Sequence, residues 1–324
     1  MSDKGYYISC IEIPELFGNR HFCWSLNDKV NILGGINGSG KSTILKLCYQ
    51  VLSTGVVDKS IAALAPRLIV HFTDGKKLEW HQSIIRPDVS PKEVSTWSFV
   101  VDARPDGTEV IQFISLYDAD GNQCSMSEYR PYDFPVLIVN SFEQLIGTFE
   151  KDGSMSVGYT YLDALIQQQI IRRTSVFAGV LEKLFEQLNQ HLTFEKAAER
   201  HPEIANFIEF YHELSVFMKN YSVLIDNRIR FRNSAGEEFD YTSLSMGEKQ
   251  LLLLILMTTN THSSPCVFFM DEPDLALHIT WKKMLIRELR NLNPQMQIIL
   301  ATHAPSMIEG WYDQVKEVSQ LIVP

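Results

Sequence analysis

Gly35-Ile36-Asn37-Gly38-Ser39-Gly40-Lys41-Ser42-Thr43 is the segment that is most informative about the architecture of this chain. The apolar run Val30 to Leu33 precedes it, and the amphipathic run Ile44 to Leu52 follows it. A short apolar run is typical of a buried strand, and apolar residues at helical spacing are typical of an amphipathic helix. Glycine, four residues, glycine, lysine and then serine or threonine, between two such elements, is the pattern of a phosphate-binding loop. The sequence therefore predicts a strand, a phosphate-binding loop and a helix, in that order.

The residue types in this loop suit the binding of a nucleoside triphosphate with its metal ion. Gly35, Gly38 and Gly40 permit positive φ angles, so that successive backbone N–H groups point at the phosphates. The helix that follows adds the positive end of its dipole. We expect Lys41 to place its ammonium group between the terminal phosphates and Ser42 to be a ligand of Mg²⁺. The full predicted nucleotide-binding set in the loop is Asn37, Gly38, Ser39, Gly40, Lys41, Ser42 and Thr43.

The composition is that of an ordinary globular chain. Its 324 residues allow one large or two modest domains, and a hydrophobic content of 45% is ample for a packed core. The formal net charge of −10 argues against a surface that binds polyanions throughout, so any nucleic-acid binding is expected to be local.

The cysteines and the N-terminus point to a cytoplasmic protein. Neither a signal peptide pattern nor an apolar run long enough to span a bilayer is present, so we expect no membrane association. Because the cysteines are odd in number, widely spaced and without a CxxC pair, we predict neither a disulfide framework nor a zinc site. The five cysteines are Cys10, Cys23, Cys48, Cys124 and Cys266.

Short β-rich runs dominate the first part of the chain. Tyr6 to Ile13 and His21 to Leu26 are predicted strands that precede the strand of the phosphate loop. Residues 67–135 contain several further runs separated by Asp-Gly turns, which predict an antiparallel β layer. Val136 to Asn140 then indicates a return to a buried central strand.

The hydrophobic period becomes helical between Tyr161 and about Tyr221, which predicts two amphipathic helices in an insertion over 160–222. The insertion is either a projecting arm or a helical subdomain packed on the core. Val223 to Arg232 is predicted as one strand, on which Arg228, Arg230 and Arg232 share a face. This row either meets DNA phosphates or an acidic partner, or forms a solvated edge that discourages aggregation, which we favour. The same two alternatives, a binding face or a solvated surface, apply to Arg172-Arg173 on the first helix.

A second buried strand, Cys266 to Asp271, ends in two acids. An acid at the carboxyl end of a central strand beside a phosphate loop can hold Mg²⁺ through water or Ser42, and this role is assigned to Asp271. Glu272 then faces the γ-phosphate and is the predicted general base for the attacking water. Taken alone, such an acidic pair is as often a surface turn.

Two further segments complete the set. In Leu244-Ser245-Met246-Gly247-Glu248-Lys249-Gln250, Ser245 is a suitable N-cap and Glu248 a capping-box partner, which predicts the start of a helix. Ile298 to Pro305 is predicted as a last buried strand, with His303 at the carboxyl end where ligands meet α/β sheets.

The order of these segments resembles that of the ABC-type ATPases: phosphate loop, signature helix beginning Leu-Ser-x-Gly-Glu, Asp-Glu strand with a D-loop, and switch histidine. Glu272 to His278 and Thr302 to Pro305 are similar to the RecF, SMC and overcoming-lysogenisation-defect branch. The resemblance implies an α/β ABC-type ATPase head over 1–324, with a central mostly parallel sheet, an antiparallel β layer and a helical insertion. Because only Glu309 to Pro324 follow these segments, we expect no fused effector domain.

The same resemblance implies that two heads enclose two ATP molecules with Mg²⁺. Ser245, Gly247 and Glu248 of one head would complete the γ-phosphate site of the other, and His303 would couple loss of the γ-phosphate to separation. The glutamine loop of the family is the least defined segment, and Gln144 is the candidate magnesium ligand. A higher oligomer stays open.

Three functions remain in view. The first is an ATP-driven dimerising switch for a separate effector chain, a nuclease or a toxin, in bacterial defence against phage. The second is a RecF-like repair or recombination ATPase whose dimer binds DNA. The third is a scaffold that binds ATP without hydrolysing it, which the presence of Asp271, Glu272 and His303 disfavours.

Overall fold

The computed structural model describes residues 7–85, 97–103, 105, 107–125, 136–140, 148–149, 155–156, 160–173, 179, 196, 199, 202–225, 229–261 and 264–323. The chain forms two compact units, each of which is described by itself. The first unit comprises Met1–Asn140, Pro265–Glu272 and Gln295–Pro324. The second comprises Ser141–Ser264 and Pro273–Pro294.

The described residues form seventeen strands, seven α-helices and three short 3₁₀ helices. The strands are β1 (Ile8–Leu16), β2 (Arg20–Ser25), β3 (Val30–Gly34), β4 (Arg67–Phe72), β5 (Lys77–Ile85), β6 (Trp97–Ala103), β7 (Glu109–Tyr117), β8 (Val136–Asn140), β9 (Thr148–Phe149), β10 (Met155–Ser156), β11 (Ser222–Ile225), β12 (Ile229–Arg232), β13 (Glu238–Asp240), β14 (Cys266–Asp271), β15 (Met296–Ala301), β16 (Val315–Glu317) and β17 (Ile322–Val323). The α-helices are α1 (Lys41–Ser53), α2 (Lys59–Ala62), α3 (161–173), α4 (Pro202–Phe217), α5 (Met246–Thr259), α6 (Ile279–Leu292) and α7 (Pro305–Ile308). Short 3₁₀ helices lie at Tyr241–Ser243, Tyr312–Gln314 and Val318–Gln320.

A parallel sheet of five strands carries the predicted site in the first unit. Its order is β16, β3, β15, β14 and β8, and every neighbouring pair is parallel. All residues of β3, β14 and β15 are buried, which explains their near-continuous apolar sequence. The register aligns Asp271 with Ala301 on one side and Asn140 on the other. The carboxyl ends of these strands therefore meet at one edge, where α/β sheets bind ligands.

A second sheet in the same unit is antiparallel throughout. Its seven strands follow the order β17, β2, β1, β4, β5, β7 and β6. The predicted Asp-Gly turn between β4 and β5 is present, with Gly75 at φ +87°. Together with the parallel sheet and the helices, these strands confirm the predicted α/β fold class with a mostly parallel sheet and a separate antiparallel layer.

One hydrophobic core joins the two sheets and α1 in the first unit. It contains Ile11 and Trp24 of the antiparallel sheet, Leu45 of α1 and Phe269 of the parallel sheet, all buried. The amide of buried Gln297 also spans the sheets, because it accepts from Ile8 N at 3.0 Å and donates to the backbone oxygens of Ile8 and Asn27. Satisfied buried amides of this kind fix the register of the elements that they join.

The second unit contains α3 to α6 and the three-stranded sheet β11, β12 and β13. α4 begins at Pro202, and proline suits the first position of a helix. Arg173, whose role the sequence left open, is buried at 2% exposure and donates to the backbone oxygen of Thr259 at 3.0 Å. Burial lowers the pKa of this guanidinium to about 10.

The prediction of one strand from Val223 to Arg232 was wrong. The stretch forms two antiparallel strands, β11 and β12, in which Ile225 pairs with Ile229. Asp226-Asn227 are turn-forming residue types, and the prediction took them as part of the strand. β12 is the central strand of its sheet, so it is not an edge.

The expected row of arginines is also different. Arg230 and Arg232 both form ion pairs with Glu238 on the neighbouring strand, and Arg228 lies outside the described residues. The two described guanidinium groups are therefore paired within the protein, and the observation that supported a DNA-binding face is lost. No helix in the described part of the chain combines the length and apolarity needed to cross a bilayer.

We expect Ile11→Ala to lower the free energy of unfolding of the first unit by about 2–5 kcal/mol, because it leaves a cavity in the shared core. Ile84→Ala is the matched control on the same sheet, since Ile84 is 61% exposed, and its effect should stay within about 0.5 kcal/mol. Urea unfolding followed by fluorescence of buried Trp24 and Trp80 measures both changes. Equal effects of the two variants would contradict the described core.

Candidate nucleotide-binding site

The backbone of the phosphate loop depends on glycine at particular positions. Gly35, Gly38 and Gly40 have φ angles of +135°, +78° and +101°, which L side chains rarely adopt. A Cβ on Gly40 would lie 2.7 Å from the ring of Phe17. Both the backbone conformation and the close approach of Phe17 therefore require glycine at position 40.

The end of α1 that follows this loop has the character of an anion site. Gly40 is its N-cap, no side chain in the described residues caps it, and its first turn contains no acid. Its first N–H groups and the positive end of its dipole thus face the loop, and no acid in the helix's own first turn competes for them. Lys41 is 5% exposed, and its Nζ donates to the backbone oxygens of Gly35 at 2.9 Å and Ile36 at 3.2 Å.

Ser42 and Asp271 form a hydrogen-bonded pair beside the loop. Ser42 Oγ donates to Asp271 Oδ1 at 2.8 Å, and Asp271 is fully buried. Its second oxygen, Oδ2, is buried without a hydrogen bond to any described residue. Burial raises the pKa of the Asp271 carboxyl, and the Ser42 hydrogen bond opposes that rise. A hydroxyl next to a carboxylate with an unused oxygen suits a hard cation such as Mg²⁺.

Glu272 stands at the next position in a strained backbone conformation. Its φ angle is +48°, which is uncommon for a residue with a side chain and is found most often at functional sites. Its N–H donates to Ala301 O at 2.9 Å, which continues the pairing of β14 with β15. Its carboxylate lies 3.9 Å from Lys41 Nζ and 2.8 Å from His303 Nδ1. The side chain therefore has a positive group on one side and an imidazole on the other.

The structure thus brings together five of the predicted site residues, which come from three separate segments of the sequence: Lys41, Ser42, Asp271, Glu272 and His303. Asn37, Gly38, Ser39 and Thr43 lie in the same loop and first turn, with Asn37 and Gly38 exposed. Gln144, the candidate magnesium ligand, lies outside the described residues. Ser245, Gly247 and Glu248 belong to the second unit.

The signature segment of the second unit has the predicted capped helix start. Ser245 is the N-cap of α5, and the reciprocal capping box with Glu248 is present, with Ser245 N donating to Glu248 Oε2 at 2.9 Å. Gly247 packs directly against the segment after β14, because an added Cβ would lie 2.4 Å from the backbone oxygen of Ala276. Glycine is the residue that permits this approach.

Two residues that contact the predicted site segments were not predicted from the sequence. Phe17 packs its ring against Gly40, and nothing in the sequence links positions 17 and 40. Gln250 is buried and donates to the backbone oxygen of Pro273 at 2.7 Å, which joins α5 to the D-loop segment. Gln250 comes directly before the apolar run Leu251 to Met257. A polar side chain at that position could have indicated a buried contact, since buried amides need hydrogen-bond partners.

The fold is similar to that of a solved structure at low sequence identity. The structure of the SMC head bound to the C-terminal winged-helix domain of ScpA superposes with a TM-score of 0.51 at 16% identity, covering 94% of this chain and 92% of that chain. The recombination mediator RecF superposes with a TM-score of 0.43 at 14% identity, covering 96% of this chain and 97% of that chain.

A family model described as "AAA domain, putative AbiEii toxin, Type IV TA system" matches residues 153–309, a stretch that contains the signature segment, Asp271, Glu272 and His303. Over this stretch the chain is similar to AAA-domain proteins of that description. Over 98 residues the chain is also 30% identical to the retron Vc95 probable ATPase of Vibrio cholerae serotype O1 biovar El Tor. The alignment covers 26% of this chain and 19% of that protein.

We expect Gly247→Ala to destabilise the protein by about 1–3 kcal/mol, the usual cost of overpacking, because the new methyl group forces α5 and Ala276 apart. Gly179→Ala is the control, since an added Cβ there meets no atom within 4 Å. Thermal unfolding of the two variants measures the difference. If Gly247→Ala were as stable as wild type, the close packing at Ala276 would be refuted.

Proposed function

We propose that this ATPase binds Mg²⁺–ATP between two copies of itself and uses hydrolysis as a switch that controls a separate effector chain, in bacterial defence against phage. The observation that carries the proposal is the position of Glu272, held at positive φ between Lys41 and His303 beside the Ser42–Asp271 pair. This is the arrangement that phosphoryl transfer to water requires.

Nucleotide binding follows from the loop. Backbone N–H groups of the loop and the start of α1 would hold the β- and γ-phosphates, and Lys41 would release its two backbone oxygens to contact them. Ser42 and the unused Oδ2 of Asp271 would hold the metal ion directly or through water. Bound Mg²⁺ supplies positive charge that offsets the charge of the phosphate oxygens.

Glu272 is the candidate general base. Its carboxylate is largely buried, with 14% of the side chain exposed, and its contacts with Lys41 and His303 keep it at the edge where the γ-phosphate would lie. The carboxylate would accept a proton from the attacking water. His303 is 48% exposed, so it can contact both Glu272 and a γ-phosphate, and it would report the loss of that phosphate to the rest of the chain.

The dimer is supported by the surface around the signature segment. Three large apolar residues there are exposed: Met246 at 38%, Leu275 at 53% and Ile279 at 57%. The packing of Gly247 on Ala276 places Met246 and Leu275 close together. Neighbouring exposed apolar residues mark interaction surfaces. We assign this surface to the second copy, whose phosphate site Ser245 and Gly247 would complete through the start of α5.

The proposed effector chain and the proposed role in phage defence are supported by the names of similar proteins. The curated relative is a probable ATPase of a retron, and the family description includes a toxin of a TA system. These names support the proposal that this ATPase also works in a multi-component defence system. The paired state of Arg230 and Arg232 leaves no described feature that favours the DNA-binding alternative.

Glu272→Gln is expected to lower ATP turnover by about 10²- to 10⁴-fold, the range for a lost general base. ATP binding should persist and nucleotide-bound dimer should accumulate, because the amide keeps the shape of the side chain. Turnover assays and light scattering with and without ATP measure these effects. The control Glu309→Gln changes an exposed acid in the same unit and should leave turnover unchanged. Lys41→Ala should instead lose nucleotide binding.

An unchanged turnover in Glu272→Gln would show that another residue activates the water. Full turnover in Lys41→Ala would contradict the assignment of the whole loop.

Ser245→Arg is expected to prevent dimer formation while each copy still binds ATP, because a long cation would fill the position at the start of α5. The test uses the Glu272→Gln background, in which dimer should otherwise accumulate, and measures mass by light scattering with ATP. Ser234→Arg, in the exposed turn between β12 and β13, adds the same charge and should leave the dimer intact. Intact dimer in both variants would refute the proposed role of Ser245.

A further inference from the structure

Three neighbouring strands of the antiparallel sheet bring four metal-binding side chains to one face. Cys10 and Glu12 lie on the central strand β1, two residues apart and therefore on the same face. Cys23 on β2 is directly opposite Glu12, and His71 on β4 is directly opposite Cys10. Ile11 and Trp24, which pair with each other on the other face, are buried in the core. The four residues therefore lie on the face turned away from the core.

The side-chain atoms of this group are close together. Cys10 Sγ lies 3.7 Å from Cys23 Sγ, and one ligand atom each from Cys10, Glu12 and Cys23 lie within 4.8 Å of one another. His71 Nε2 lies 2.9 Å from Glu12 Oε1. All four residues are partly buried.

The distance between the sulfurs matches a zinc site. Two thiolates on a tetrahedral Zn²⁺, each with a bond of about 2.3 Å, are about 3.8 Å apart. A disulfide would bring them to about 2.0 Å. We propose that Cys10, Cys23 and Glu12 bind one Zn²⁺, with His71 positioning the Glu12 carboxylate.

The ligand types favour zinc over the cation of the nucleotide site. Thiolates are soft ligands that select Zn²⁺, whereas Mg²⁺ requires oxygen ligands in octahedral geometry. Cys10, Cys23 and Glu12 fill three of the four tetrahedral positions, and a water molecule can complete the fourth. His71 acts through Glu12, since a hydrogen bond to a ligating carboxylate fixes its orientation.

The proposed ion would cross-link β1 and β2 directly and β4 through His71. The ladder hydrogen bonds hold all three strands in register, so the ligands are arranged before metal arrives. β2 continues through a short connection into β3 and the phosphate loop. The proposed ion would therefore stiffen the sheet that leads into β3 and the phosphate loop.

The test is titration of the full-length reduced protein with Co²⁺, which takes zinc sites and reports sulfur ligands by thiolate-to-cobalt charge-transfer absorption. Wild type should bind one Co²⁺ with this absorption, and Zn²⁺ should displace it. Cys10→Ser and Cys23→Ser should lose the absorption, whereas Cys124→Ser, which removes a distant thiol, should keep it. Co²⁺ at the Mg²⁺ position gives no such band, because its ligands there are oxygens.

Two further measurements test the role of His71 and the effect of the ion on stability. His71→Ala should weaken the Co²⁺ affinity by about 10- to 100-fold while the thiolate absorption is retained, as for a residue behind a ligand. Zn²⁺ should raise the unfolding temperature of wild type and Cys124→Ser but not of Cys23→Ser, and all three should unfold at similar temperatures in chelator. Absence of thiolate absorption in wild type with both thiols reduced, or a Cys10–Cys23 disulfide in protein prepared with reductant, would overturn the proposal.

Discussion

The hydrogen bond between Ser42 and Asp271 is the interaction on which the nucleotide site depends. It joins the first turn of α1 to the end of β14, two elements separated by more than two hundred residues in the chain. A fully buried carboxylate is costly to ionise, and Lys41 and Lys46 offset only part of that cost through their charge. The unused Oδ2 of Asp271 then has one obvious partner, a bound cation. A buried acid that is incompletely satisfied makes this strand end suited to a metal–nucleotide complex.

The backbone strain at Glu272, the residue after Asp271, contributes to the same site. Glu272 leaves β14 at positive φ, which costs of order 1–3 kcal/mol and persists only where the surroundings enforce it. The enforcing contacts are the hydrogen bond to Ala301, the ion pair with Lys41 and the contact with the His303 imidazole. The effect is to turn the carboxylate towards the loop side of the strand rather than into the sheet. Binding of a triphosphate would compete for both of its charged neighbours.

Within the second unit, the signature helix is held along its length by the helix at 161–173. Lys249 near the start of α5 forms a buried ion pair with Asp163 at 2.8 Å. At the other end, Arg173 donates to Thr259 O, and Asn260 donates to Gln169. Breaking a buried pair leaves an uncompensated charge, so these contacts restrain α5 against independent movement. Any movement of α5 that accompanies nucleotide binding would therefore move this helix with it.

The sequence by itself determined the phosphate loop, the acidic strand end, the capped signature helix and the α/β class, because each depends on local residue types. Glycine, proline, capping residues and apolar periodicity act within a few positions. Only the tertiary structure decided which distant residues meet: His303 with Glu272, Phe17 with Gly40, Glu238 with Arg230 and Arg232, and Cys10 with Cys23. The cysteines are the clearest case, since their spacing in the chain indicated no metal site. Strand register, which long-range packing sets, placed them side by side.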